Sequence, residues 1–398
     1  MRMFGELAQW RTVGDPEADK VVEKYAASNK IKKDPSLLVA LPRLIGRWEP
    51  DGPTTGIDAP LVRYLKKDYV LPQWVIDNAD AVQRAQRRYR RHAAVGQVVL
   101  ATYSLPIVYL HPEIAVTLMG TGQLIQHVQR RLMETRAFVD MVSQDGALLT
   151  RGPSWRWLRK VRLNHAVIRR IDKVPPVPKP GLPGGAPHPL AVRHQPRNKR
   201  LAHGIPIDQL ELSYVMLSLS WVMVDGLARL GHPMSDSECD DHIRLWAVVG
   251  HMLGIDDALL PGGPIRPPSD AKKMFEAFKK FLIPCRDLPG RPGAMEGHQL
   301  VAALLSVLAD VQQQAVPAGL KRWYERLPWL DDAAQSLPRT LVRQLCGSPA
   351  AATLHVGRAP FIHWCLNQLM LKYVDQRDWN RYLPADRGHR AARESRGR

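Results

Sequence analysis

Cysteine is scarce in this 398-residue chain, and the four present, Cys239, Cys285, Cys346 and Cys365, stand far apart. With no CxxC pair, a structural zinc site or a redox dithiol is disfavoured, and the usage suits a reducing compartment. Long apolar runs are missing too. Residues 95–110 are interrupted by Pro106, and residues 210–224 are interleaved with Ser213, Ser218 and Ser220. Both fall short of the roughly 20 uninterrupted apolar residues that span a bilayer, so they read as buried helices and no transmembrane segment is expected. The first 20 residues carry neither a basic segment leading into an apolar run nor a small-residue cleavage site. The expectation is therefore a cytoplasmic protein, or a secreted one whose leader has been removed.

Acidic residues are short as well: 38 Asp and Glu face 56 Lys and Arg, a formal charge of +18. The excess gathers at residues 84–92 (RAQRRYRRH), at residues 193–200 (RHQPRNKR) and in the tail from Arg387. No RNA-recognition signature, zinc-finger spacing or basic region followed by heptads accompanies it, so no specific nucleic-acid partner is expected. Such runs read first as solvated helix faces. A non-enzymatic protein using its basic face on nucleic acid or anionic membrane is the alternative from a different functional class.

What the chain has in quantity is helical signal. GDPEADKVV offers Asp15 as a cap, Pro16 at the first helical position and acids in the first turn, predicting a helix over 15–27. Helices are also predicted over 71–92 and 93–103, the second stopping before Pro106. Further ones follow over 208–230 with Gly231 as its stop, over 235–253 with Gly254 as its stop, and over 269–282. Additional helices are expected over 298–314, 320–326, 338–346 and 359–373. No alternating strand of six residues or more and no internal repeat occurs. The fold class is all-α. Eight prolines between Val174 and Arg197 make residues 174–204 an expected exposed loop inserted in a single domain of residues 1–385. Residues 386–398 read as a disordered basic tail.

Two helices carry candidate chemistry. Over residues 154–172 (SWRWLRKVRLNHAVIRRID), Leu158, Val161, His165, Ile168 and Asp172 recur at three- and four-residue steps and share a face. One histidine thus sits in an apolar stripe. Arg162 and Arg169, three residues before it and four after, can flank whatever the imidazole faces. An imidazole for a metal and two cations for two carboxylates would suit a haem; a hydrogen-bonded core histidine on a basic amphipathic helix is the plainer reading. On the preceding helix, Leu124, His127, Arg131, Thr135 and Phe138 share a face, placing a polar trio in an apolar stripe. Such groups cost stability unless each finds a partner, so a polar pocket stands as one reading and an amphipathic helix whose Arg131 snorkels to water as the other. A second enzyme reading, a non-haem metal site, would draw on His111, Glu113, His127 and His251, ligand types that suit a facial triad.

Taken in order, the segments GDPEADKVV, LPQWV, SLPIVYLHPE, GTGQL, RRLMETRAFV, KVRLNHAVIR, GIPIDQLEL, VMVDGLARLG, LWAVVGHMLGI and MEGHQLVAALL resemble the latex-clearing protein family, whose shared unit is the rubber oxygenase catalytic domain. The resemblance runs from Gly14 to at least Leu305. It implies a globin-like helical core with additional N- and C-terminal helices, and a b-type haem that uses O2 to cleave the double bonds of cis-1,4-polyisoprene into aldehyde and ketone ends. It implies His165 as the proximal iron ligand, Arg131 and Thr135 as haem-pocket residues, and Arg169 as part of the pattern. The family also includes fungal oxygenases of other prenylated compounds. A cytoplasmic location would favour a smaller isoprenoid or terpenoid over solid rubber, and a monomer is expected. Some rubber-cleaving relatives have a lysine just before the pocket threonine, able to reach the iron. Here that residue is Glu134, which cannot be the same neutral nitrogen ligand. Glu113 and Glu134 are the candidates for a base that takes an allylic proton.

Overall fold

Asp15 begins the first helix as the sequence predicts: its carboxylate accepts the backbone N–H groups of Glu17 and Ala18 at 3.1 and 3.2 Å, with Pro16 at the first helical position. The computed structural model describes residues 6–28, 31, 36–49, 59–67, 70–109, 111–120, 128–149, 153–171, 204–282, 300 and 304. The proline-rich insertion apart from Gly204, the four helices expected beyond residue 298 apart from Leu300 and Leu304, and the basic tail lie outside them.

Thirteen α-helices are described: α1 (Pro16–Ala26), α2 (Ser36–Arg47), α3 (Ala59–Lys66), α4 (Gln73–Asp77), α5 (Ala79–Val99), α6 (Leu105–Tyr109), α7 (Pro112–Gly120), α8 (Val128–Val142), α9 (Pro153–Ile171), α10 (Gln209–Leu219), α11 (Trp221–Arg229), α12 (Asp236–Met252) and α13 (Asp270–Leu282). Among the described residues there is no strand, only an isolated bridge between Pro261 and Arg266. The class is all-α.

The predicted stop before Pro106 is not what happens. α5 runs into a π-helical turn, Leu100–Ser104, and then into α6, which contains Pro106. Proline lacks an N–H and crowds the carbonyl four residues back; a π-turn widens the backbone there and lets the helix continue. The 208–230 helix likewise divides at Ser220, whose ψ of −78° lies off helical values. Its end follows the sequence, with Gly231 at φ +82°. α12 opens on a capping box of Ser235 and Glu238 and closes on Gly254 at φ +83°.

Two hydrophobic cores form. The larger gathers α5, the π-turn, α6 and α10 to α13, with Tyr214 stacked on Phe275 at 5.6 Å between ring centroids. Residues 209–229 are apolar enough to cross a membrane, yet 83% of that window is buried within the fold, as in an interior helix. The smaller core is built by α1, α2 and α3 against one face of α9, through Leu163, Ala166, Val167 and Ile171. α9 therefore stands between the two cores, and this fixes which of its residues remain for chemistry.

The basic run at 84–92 is not simply a solvated face. Arg84 and Arg88 of α5 both donate to the Asp241 carboxylate of α12, at 2.8 and 2.5 Å, and Arg88 also lies 3.3 Å from Glu238. Part of this charge holds two helices together.

Candidate functional site between α8 and α9

α8 and α9 are consecutive in the chain and meet at the ends that their connection joins. Ser154 Oγ donates to the Met141 carbonyl at 3.0 Å, and the rings of Phe138 and Trp157 lie 6.2 Å apart. Phe138 also reaches Trp246 of α12 at 6.4 Å. Away from this aromatic pair, Thr135 and Arg131 come about one and two turns back along α8, while Val161 and His165 come about one and two turns forward along α9. With about 1.5 Å of rise per residue, the two sets stand at comparable heights. The faces that helical spacing singled out in the sequence are thus the faces that begin to meet at Phe138 and Trp157.

Burial separates the two sides of α9. Leu163 and Val167 are fully buried in the smaller core. Trp157, Val161, His165 and Ile168 are only partly buried, and Trp157 and Ile168 belong to neither core. Only Leu158 of the expected stripe is fully buried, and Asp172 lies outside the described residues. On α8, Leu132, Glu134, Thr135 and Phe138 are also partly buried. The side chain of Arg131 lies outside the description, as do His127 and Leu124. α9 is thus sealed on one side and half-buried on an apolar, histidine-bearing side.

The two arginines beside His165 are placed differently from expectation. Arg162 forms a two-point ion pair with Asp15 and lies 3.2 Å from Glu17. Arg169, 3% exposed, donates to Asp19 at 2.8 Å and to the Ile207 carbonyl at 2.8 Å. Their partners are carboxylates of α1, not those of a cofactor. They stand on the α1 side of the helix, where acids await them. Burial tends to raise the Glu17 carboxyl, but Lys67 and Arg162 outweigh it and the net shift is downward; burial raises that of Asp19 despite Arg169.

Of the set proposed for a non-haem metal, His127 lies outside the described residues, and the other three each have a structural partner. His111 Nδ1 accepts the Ile114 N–H at 3.1 Å, and its carbonyl accepts the Ala115 N–H, so HPE is a helix start with histidine as the cap and Pro112 at the first position. Glu113 is ion-paired with Arg11, which also meets Asp208 at 2.9 Å and Glu211 at 3.5 Å. This pairing removes Glu113 as a ready base. His251 Nδ1 pairs with Asp257 at 2.7 Å. Among the described residues, no group of three or more His, Cys, Asp or Glu side chains is arranged to hold a metal ion.

In residue type, the half-buried faces of α8 and α9 suit a flat apolar cofactor with a single imidazole ligand. They offer His165, the Thr135 hydroxyl, and the apolar Leu132, Phe138, Val161 and Ile168. Sequence reasoning missed Trp157, whose signal was its place four residues before Val161. It also missed Asp15 and Asp19 as partners of α9, because their sequence signal was that of a helix start.

No curated protein sequence matches the chain. Among solved structures, one described as "Structure of Latex Clearing Protein LCP in the closed state" matches with a TM-score of 0.61 at 17% identity, over 92% of this chain and 91% of that one. At that identity the likeness is one of fold. The family model described as "ER-bound oxygenase mpaB/B'/Rubber oxygenase, catalytic domain" matches residues 87–370, well over half of the chain and all of α8 and α9. The chain therefore belongs to the mpaB/rubber oxygenase catalytic-domain family, a family of oxygenases.

Proposed function

We propose that the protein is a haem b-dependent oxygenase that uses O2 to cleave carbon–carbon double bonds of polyisoprene or a smaller isoprenoid, leaving one aldehyde and one ketone end. The observation that carries this reading is the half-buried, apolar face of α9 that bears His165, while the opposite face of the same helix is sealed in a core.

His165 would hold the iron, and the haem when bound would supply the redox chemistry of O2. Phe138, Val161 and Ile168, partly buried and apolar, would give the haem pocket surface that excludes water and orients an alkene lacking polar handles. Thr135 offers a hydroxyl, and Arg131, four residues before it on the same face, a cation for charge developing on oxygen or for a haem carboxylate. Glu134, in the place of the relatives' lysine, is the carboxylate nearest in sequence to these groups and the candidate acceptor of an allylic proton. Arg162 and Arg169 have no part in holding the cofactor on this reading.

The purified protein should show a Soret band, and His165→Ala should lose it together with most of the bound haem. Cleavage should be followed by carbonyl formation from polyisoprene latex and from short isoprenoid alkenes. A fully helical protein without porphyrin after expression with haem supplied would refute the reading.

A further inference from the structure

Behind His165 the helix is held by an arrangement that the proposed chemistry does not use. Arg162 and Arg169 lie one turn before and one turn after the histidine, and each grips an acid of α1, Asp15 and Asp19, themselves one turn apart. Asp15 is 1% exposed. Its Oδ1 takes Arg162 Nη2 at 2.8 Å while capping α1, and the backbone N–H of Asp15 donates to Asp19 Oδ2 at 3.1 Å. The two pairs are therefore one connected unit.

Each pair is covered by a glycine. A Cβ on Gly254, at the end of α12, would fall on Asp15 Oδ2 and within 2.5 Å of Arg162 Nε. A Cβ on Gly14 would fall on Asp19 Oδ2 and within 2.8 Å of Arg169 Nε. Gln209, 2% exposed at the start of α10, ties the two covers together: its amide nitrogen donates to the carbonyls of Gly14 at 2.7 Å and Gly254 at 2.8 Å, and its oxygen accepts the Asp256 N–H at 2.8 Å. Four helices, α1, α9, α10 and α12, converge on these few atoms.

A helix anchored at one point can still rotate and slide. Anchored at two points seven residues apart, on ion pairs whose guanidinium groups are largely buried and would be left uncompensated by separation, it is held against both. We propose that Asp15 and Asp19, with Arg162, Arg169 and Gln209, are positioning residues that fix the rotation of α9 and so the direction in which His165 enters the proposed haem pocket. The direction of an iron ligand sets its bond to the metal, so these groups, remote from that pocket, tune the cofactor through the helix. This inference rests on the haem reading of the site.

The test uses the full chain as Asp15→Asn and Asp19→Asn, with Arg162→Lys as a milder variant that keeps the charge but loses the two-point fork. Val167→Ala, on the opposite face of α9, is the control for lost stability alone. Two readouts are taken: the iron–histidine stretching band of the ferrous protein by resonance Raman, and the rate of carbethoxylation of His165 relative to His251 in cofactor-free protein, by mass spectrometry. The expected result is a shifted or split iron–histidine band and a several-fold change in relative His165 reactivity in the clamp variants, with Val167→Ala unchanged in both. Where an Asn variant does not fold, Arg162→Lys decides. Folded clamp variants indistinguishable from wild type in both readouts would overturn the proposal. A wild-type protein with no Soret band fails the haem reading instead, and the positioning of His165 is then judged on carbethoxylation alone.

Discussion

The two faces of α9 should respond oppositely to the same truncation. Leu163 is fully buried against α1 to α3, whereas Ile168, five residues on, is partly buried and packs into neither core. Leu163→Ala removes three carbons from a closed site and leaves a cavity, a loss of about 2–5 kcal/mol. At about 2.1 cal/mol/K of unfolding entropy per residue, a chain of this size loses about 1 °C per kcal/mol, a drop of roughly 2–6 °C. Ile168→Ala removes surface that is already partly in water and should cost less than about 1 kcal/mol by area. It enlarges the proposed haem pocket instead, so haem retention or alkene affinity should change while the midpoint barely moves. Thermal unfolding by circular dichroism, run beside haem titration of both variants, separates the two effects. Equal destabilisation by both substitutions, or a neutral Leu163→Ala, would refute the assignment of core face and pocket face.

Burial, then neighbouring Glu211, hold the Asp208 carboxyl well above its usual range despite Arg11, so the folded chain keeps a proton there that the unfolded chain releases. Stability from this group is present at low pH and is lost as pH rises from the ordinary carboxylate range toward the raised value. Asp208→Asn, which still accepts the Glu211 N–H as a cap, should flatten the fall of the urea midpoint between pH 5 and pH 8, and a slope equal to wild type would contradict this. Tyr89 donates to Asp140 at 2.5 Å between α5 and α8 in a largely buried pair, so Tyr89→Phe should cost about 1–3 kcal/mol in urea unfolding; a neutral result would mean that water replaces the hydroxyl. His111→Leu should lose about 1 kcal/mol and His111→Asn almost nothing, because asparagine also caps helices. Iron content should be the same in both; iron lost in step with the histidine would revive the metal reading.

The structure also reweighs the basic surface. Arg84 and Arg88 share the Asp241 carboxylate, so net charge overstates the cations that this face has free for a polyanion. The binding-protein alternative drew on that run, and the ion pairs give it an architectural use.

Helix class, the cap at Asp15 and the glycine stops at Gly231 and Gly254 were legible in the chain, because capping chemistry is local and needs only neighbouring residues; for α12 the sequence left Ser235 and Asp236 as alternative caps, and the structure chooses Ser235. The faces bearing His165 and Thr135 were legible for the same reason, since helical periodicity alone sets them. Local rules did not foresee that the helix passes through Pro106 on a π-turn, which the packing of α11 against that segment accompanies: a Cβ on Gly226 would meet Val99 and come within 3.1 Å of Tyr103. Nor could spacing decide the fate of Arg162 and Arg169. A guanidinium beside a histidine serves a cofactor or a helix equally well until its partner is known, and the partners are about 150 residues earlier in the chain. Sequence alone determined which side chains share a face; only tertiary structure decided what that face meets, because contacts between distant segments depend on how helices pack.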